Sequence, residues 1–294
     1  MKLTVAAAAV AAGVLGAGCT VTVDSHSEIH REEKRFSVNG IADLRLTTFD
    51  GAIQIRSWDK PDIVVEVERR GPTKASLEEI VVSAEQRGNR IDLEAKRPRS
   101  ESFHVGFQRS ASASLIVSVP RDVNVVARTG DGSMRVERVN GRLELRSGDG
   151  SITGSDVSGE LLFETTDGSV RVDRAQGRLK VDTGDGAIDV GGRFSLVKLH
   201  SGDGSVVYRV EPGSTMSEDW EIRTGDGSVS LYLPDGFNAE IDAHTGDGRI
   251  RSDLNGLPSP TREDSRRTLR GRLGSGGKLL RVRTGDGAIR LGAN

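Results

Sequence analysis

A Ser or Thr, in most copies a Gly, and then Asp-Gly recurs eight times in this chain. The aspartates fall at Asp131, Asp149, Asp167, Asp185, Asp203, Asp226, Asp247 and Asp286. The first four intervals are 18 residues each, and the next three are 23, 21 and 39. A strict period of that size belongs to one supersecondary unit stacked on copies of itself. It constrains architecture tightly and a ligand hardly at all.

Counting from each Asp shows which side chains share a face. Six residues before it stand Val125, Leu143, Leu161 and their equivalents, and four before it Ala127, Leu145 and Phe163. Three after it come Met134, Ile152 and Val170. Apolar residues alternate with mostly charged ones, the period-two signal of a strand with one buried face. Each unit therefore holds two short strands around the Asp-Gly corner. A second corner is marked by Asn140-Gly141, Ser158-Gly159 and Gln176-Gly177, where glycine permits positive φ. The predicted fold is all-β: a single-stranded parallel β-solenoid, or β-helix, of about 18 residues per coil. One coil buries too little to stand alone, so it needs neighbours above and below, and the ends of the stack need caps.

Two residues before each Asp lies a column of hydroxyls, Thr129, Ser147, Thr165, Thr183, Ser201, Thr224, Thr245 and Thr284. Alternation points them inward, where they are expected to bond the turn backbone or one another. A nucleophile is needed once rather than eight times, so no catalytic residue is assigned. Stacking brings successive Asp side chains to about 5 Å, where like charges repel by roughly 0.8 kcal/mol in water. The simplest reading is an exposed turn residue that bonds its own backbone. The alternative is calcium held between rungs, but calcium solenoids use a nine-residue period with a trailing Asp that is absent here. No metal or cofactor is assigned.

Three residues before the Asp an outward column runs Arg128, Arg146, Glu164, Asp182, His200, Arg223, His244 and Arg283. Its mixed signs read as a solvated ion-pair ladder, Arg146 with Glu164 among them. Net charge over the 294 residues is −2, which gives no electrostatic case for nucleic acid as a partner. One local exception is Arg262, Arg266, Arg267, Arg270 and Arg272, within residues 255–278. It is expected to form a solvated loop and is the one basic candidate for a binding surface, toward anionic glycan or lipid.

The N-terminus carries an address. Lys2 precedes an apolar run from Leu3 to Leu15, then Gly16-Ala17-Gly18-Cys19. Residues 1–18 read as a secretory signal too short to span a bilayer comfortably. Cys19 is the only cysteine, so it forms no internal disulfide. Its setting resembles the lipobox of bacterial lipoproteins, although Gly16 stands where Leu is usual. That resemblance implies a lipidated Cys19 and a membrane partner through its acyl chains, and Thr20 after it points to the outer membrane. Plain signal-peptidase cleavage is the alternative.

Residues 19–38 are polar and read as a flexible tether. A divergent rung follows, with Leu44, Leu46, Thr48, Asp50, Gly51, Ile53 and Ile55 in the repeat columns. Strand-like runs at 63–67, 80–84, 90–95 and 115–119 complete a β-rich cap over 39–122, with a loop at 98–112. The solenoid proper then occupies 123–294. Asp50-Gly51-Ala52-Ile53, Val117-Ser118-Val119-Pro120 leading into Thr129-Gly130-Asp131-Gly132, and the terminal Thr284-Gly285-Asp286-Gly287 share an order with a known family. The chain resembles, from Phe36 to Leu291, the bacterial "putative adhesin" envelope proteins, a domain of unknown function. The resemblance implies a β-solenoid without an established enzyme activity.

The functional expectation is a non-enzymatic, lipid-anchored envelope protein that binds or makes structural contacts, with an envelope glycan or protein as partner. One alternative is an envelope stress or sensory component acting through protein contacts. Another is a polysaccharide-active β-helix enzyme, which would need a singular cluster of acid, base and cation that the periodic acids do not supply. Specificity is expected in the irregular parts: 98–112, the lengthened stretch 211–219, and 255–278.

Overall fold

The computed structural model describes residues 27–97, 111–257 and 266–294. They form one mixed sheet of β-strands with a single short helix. The N-terminal part contains β1 (Glu28–Phe36), β2 (Ala42–Thr48), β3 (Ile53–Ser57), β4 (Ile63–Gly71), α1 (Lys74–Glu78), β5 (Val81–Arg87), β6 (Arg90–Lys96) and β7 (Ser112–Val119). The regular repeats supply β8 (Val123–Thr129), β9 (Met134–Glu137), β10 (Asn140–Ser147), β11 (Ile152–Ser155), β12 (Ser158–Thr165), β13 (Val170–Thr183), β14 (Ile188–Ser201), β15 (Val206–Val210), β16 (Trp220–Thr224) and β17 (Val229–Leu233). The chain ends with β18 (Ala239–Thr245), β19 (Ile250–Ser252), β20 (Thr268–Leu273), β21 (Leu279–Thr284) and β22 (Ile289–Ala293).

Through the repeats the pairing is parallel and in register with the 18-residue period. Leu143 faces Val125 on one side and Leu161 on the other, and Ile152 lies between Met134 and Val170. The aliphatic columns read from the sequence are the core: Leu143, Leu145, Ile152, Leu161 and Val170 are all buried. β13 and β14 run through the second corner without a break, with the irregularity taken up as register shifts. At that corner Gly141, Gly159 and Gly177 have φ of 140°, 115° and 121°, and a Cβ at Gly159 would strike the Gly141 carbonyl. Glycine is therefore required there for both conformation and space.

The spatial order of the rungs departs from the chain order at both ends. β21 pairs with β16 on one side and with β18 on the other, and β22 lies likewise between β17 and β19. The last rung of the chain is thus inserted inside the rung that precedes it. At the N-terminal end β2 lies between β6 and β8, and β3 between β7 and β9. An extra rung without an Asp-Gly corner, made from β6 and β7, is therefore the outer one. Antiparallel strands cover these outer rungs: β5 on β6, β4 on β7 with β1 beyond it, and β20 on β18.

Three expectations change as a result. The parallel solenoid holds in a coarser form: the molecule is all-β, and its sheet is parallel through the repeats and antiparallel at its ends. The stretch read as a tether is a strand from Glu28 onward, paired with β4 over its whole length. It reads as polar because it is an end strand in which only Phe36 is buried. The arginine-rich loop is also in part a strand, since Thr268–Leu273 covers the edge of β18. In the 98–112 segment, residues 98–110 lie outside the described residues, while Ser112 opens β7.

Candidate functional site

The Asp-Gly corners stack directly upon one another. Thr165 Oγ1 donates to the carbonyls of Gly148 at 2.8 Å and Gly150 at 3.0 Å, both in the neighbouring turn. The same bond recurs from Thr129 to Gly51 (2.9 Å), Ser147 to Gly132 (2.9 Å) and Thr183 to Gly168 (3.0 Å). The inward hydroxyls therefore bond the backbone of the adjoining turn and do not form a ladder with one another. Several also accept an N–H from their own turn, as Ser147 does from Gly150 at 3.1 Å. The Gly after each Asp is needed for close approach: a Cβ at Gly168 would overlap the Gly150 carbonyl oxygen. Column residues that looked chemically suggestive are committed to holding turns together.

The aspartates from Asp131 to Asp286 point into solvent, and Asp50 is half-buried. Burial raises the Asp50 carboxyl above its usual range, the Asp131 charge adds to the rise, and the Gly51 N–H opposes it. Among the described residues no three His, Cys, Asp or Glu side chains converge to hold a metal ion.

The outward column is in part an ion-pair ladder. Arg146 bridges Glu144 and Glu164, and Arg128 reaches Glu144 at 3.3 Å. His200 Nδ1 accepts from Arg223 Nε at 2.9 Å. Because the final rung is inserted, Arg283 stands between Arg223 and His244, so two arginines separate the two histidines. Exposed pairs of this kind contribute about 0–1 kcal/mol each.

The arginine candidates are likewise drawn into the fold. Arg270 pairs with Asp242 at 3.3 Å, Arg272 with Glu240 at 2.8 Å, and Arg267 with Asp247 at 3.1 Å. Burial pushes the Asp242 carboxyl upward, but hydrogen bonds and charge from Arg283 and Arg270 outweigh it and leave the group below its usual range. Arg266 is half-buried. Arg262 and Cys19 lie outside the described residues.

The chemistry that sequence reasoning missed lies along the second corner. Phe194, Tyr208, Trp220 and Phe237 form a file in the core, with ring centroids 6.2, 5.8 and 5.5 Å apart. In a chain only 4% aromatic this concentration is local. Burial pushes the Tyr208 phenol well above its usual range, the Glu211 charge adds to the rise, and the nearby Ser214 hydroxyl opposes it. No hydrogen bond of normal geometry reaches Tyr208 Oη. Above the file, the 211–219 stretch, the β17–β18 turn and the β20–β21 turn border a cleft of ≈ 710 Å³. The lengthened interval was the available signal, but the file joins several rungs and only the stacking reveals it.

The alternating columns, the corner turns and their order along the chain coincide with a family model described as Toastrack DUF4097, which matches residues 41–292. This chain belongs to that family. The Toastrack match starts one residue before β2 and ends within β22, so it takes in both inserted rungs. The family resemblance read from Asp50-Gly51 through Asp286-Gly287 is borne out. Crystal structures similar to the Toastrack chain include a putative cell adhesion protein from Clostridium sporogenes, 13% identical over 91% of this chain and 100% of that one, with a TM-score of 0.36. A putative adhesin from Bacteroides fragilis is 12% identical over 89% and 97%, with a TM-score of 0.43. A putative lipid binding protein from Parabacteroides distasonis is 15% identical over 89% and 96%, with a TM-score of 0.45. No curated protein matches the chain. Among the described residues no helix is long and apolar enough to cross a membrane.

Proposed function

We propose that this Toastrack protein is a non-enzymatic binding or structural module of the cell envelope. In this reading it is a single-chain solenoid rod, secreted, lipidated at Cys19 and held at the outer membrane. The observation that carries the non-enzymatic reading is the Thr165 hydroxyl bonded to the Gly148 and Gly150 carbonyls, together with its repeats along the stack. Hydroxyls that could serve chemistry recur at a structural period and hold turns in place, and the acids beside them recur at the same period. The anchoring rests on the Gly16-Ala17-Gly18-Cys19 setting.

The anchor is tested by labelling cells with a clickable palmitate analogue. The wild type takes the label into the membrane fraction and Cys19→Ala does not; label retained by that variant contradicts the anchor. The binding role is tested by passing envelope extract over the full mature protein. Retained envelope material, glycan or protein, supports the module, whereas turnover of an envelope polysaccharide contradicts the non-enzymatic reading. Retention of nothing contradicts the binding role.

A further inference from the structure

The second corner carries a groove whose chemistry differs from the rest of the surface. The cleft of ≈ 710 Å³ shares Gly213 and Thr215 with a smaller one of ≈ 360 Å³, so the two run on into each other along the stack. Ser158, Gln176 and Ser195 line the smaller part, and Ser214, Thr215 and Asn238 the larger. Charged side chains are few: Arg193 in one part, Asp235 and Lys278 in the other. A cleft on the ladder face, by contrast, is walled by Arg45, Arg90, Asp92, Glu94, Arg128 and Glu144 among others. Hydroxyls and amides therefore replace ion pairs at this corner alone among these clefts.

The floor is apolar and rigid. Phe194 lines the smaller part and Phe237 the larger, and Tyr208 and Trp220 join them in the core below. The walls are irregular turns on a regular frame, the usual location of specificity in a solenoid. Gly213, Gly236, Gly276 and Gly277 border the larger part with φ of 89°, 74°, 77° and 133°. A Cβ at Gly236 or Gly277 would meet nothing within 4 Å, so backbone groups are open to a ligand there. Under Ser214 lies the Tyr208 hydroxyl, fully buried and without a hydrogen bond of normal geometry.

We propose that this groove binds a neutral oligosaccharide lying along the stack. Sugar hydroxyls suit the Ser, Thr, Gln and Asn side chains and the exposed backbone of the glycine turns. The apolar faces of sugar rings suit the half-buried Met216 and Pro234 of the larger part, with Phe194 and Phe237, 2% and 5% exposed, supporting the floor from beneath. The scarcity of charge disfavours sulfated or uronic-acid chains, which the arginine-lined faces would fit better. Gln176 and Thr215 are the groove's specificity residues, because both are exposed and neither makes a side-chain hydrogen bond within the chain among the described residues. This proposal rests on the binding role argued above.

The full mature protein is applied to an array of neutral hexasaccharides of glucose, galactose, mannose and N-acetylglucosamine, printed beside sulfated and uronic-acid hexasaccharides. Retention on at least one neutral series is expected, at least tenfold stronger than on any charged one. The Gln176→Ala/Thr215→Ala variant weakens it at least tenfold, and Thr215→Trp, which fills the shared wall, abolishes it. Lys180→Ala/Lys198→Ala, on the ladder face, leaves it unchanged. Circular dichroism matching the wild type shows that each variant is folded. Preference for the charged series, no retention of neutral glycans, or retention that survives both Thr215 variants would overturn the proposal. Should envelope extract still yield a bound protein in that case, the binding role stands and only the glycan groove falls.

Discussion

The Thr245 hydroxyl donates to the Gly287 carbonyl across 2.8 Å, so a turn from an earlier rung caps the last turn of the chain. Thr284 of that last turn reaches inward to Gly227, also at 2.8 Å. The C-terminal rung is thereby clamped on both faces. The first rung is held in the same way, with Thr48 bonded to the Ala113 carbonyl at 2.7 Å and Thr129 bonded to Gly51. Terminal segments of a domain ordinarily fray, and open strand edges recruit other chains. Burying the end rungs and covering the outer ones with antiparallel strands addresses both problems.

Removing residues 279–294 should therefore act on the whole end of the stack. Leu280, Val282, Ile289 and Leu291 are buried, and losing them forfeits about 6–12 kcal/mol at 1.5–3 kcal/mol each. That is comparable to the total stability of a domain, about 5–15 kcal/mol. Thermal unfolding followed by circular dichroism should lose its cooperative transition. A transition near the wild-type midpoint would show that the inserted rung is dispensable.

The hydroxyl column makes a sharper prediction. Thr165→Val keeps the shape but leaves the Gly148 and Gly150 carbonyls without this donor, at a cost of about 1–3 kcal/mol. Urea titration should show a lower midpoint with an unchanged slope. Ser169→Ala, on the exposed side of the same corner, should stay within about 0.5 kcal/mol of wild type.

Close stacking of the turns is tested at Gly168. A methyl group there collides with the Gly150 carbonyl, backbone that shifts only if the rung spacing opens. Gly168→Ala should destabilise by at least about 1–3 kcal/mol. An unchanged denaturation midpoint would mean that the turns are not in contact as described.

Asp242 links the arginine strand to pH. Its carboxyl lies below the usual range in the folded protein, so its contribution is fully present above the ordinary carboxylate pKa of about 3.9. It is lost as pH falls through the depressed value. The stability gap between wild type and Asp242→Asn should be open near pH 6 and close progressively below about pH 4. A gap independent of pH would remove the ion pairs with Arg283 and Arg270 as its cause.

Much of this fold is legible in the sequence, and the illegible part has a physical reason. Leu143, Leu145 and Ile152 announce their burial because every neighbour repeats them. The order of the rungs does not show in the same way. Ile241 and Leu280 occupy the same column, and nothing in the pattern says which of them lies outermost. Glu28–Phe36 and Thr268–Leu273 pair along one edge and face water on the other, so their charged residues resemble a tether and a loop. At the second corner, Phe194, Tyr208, Trp220 and Phe237 look like ordinary core residues until stacking brings them into one file.

If the repeating aspartates are scaffold, specificity belongs to the irregular corner and not to the Asp-Gly turns. Replacing Asp149, Asp167 and Asp185 together by Asn removes three neighbouring charges from the exposed column. The deciding measurement is retention of envelope material by this variant, compared with wild type at matched folding. Retention should be unchanged, with stability unchanged or slightly higher as repulsion of roughly 0.8 kcal/mol per adjacent pair is relieved. Loss of retention from a protein whose circular dichroism and unfolding midpoint remain those of the wild type would contradict the scaffold role of the aspartates.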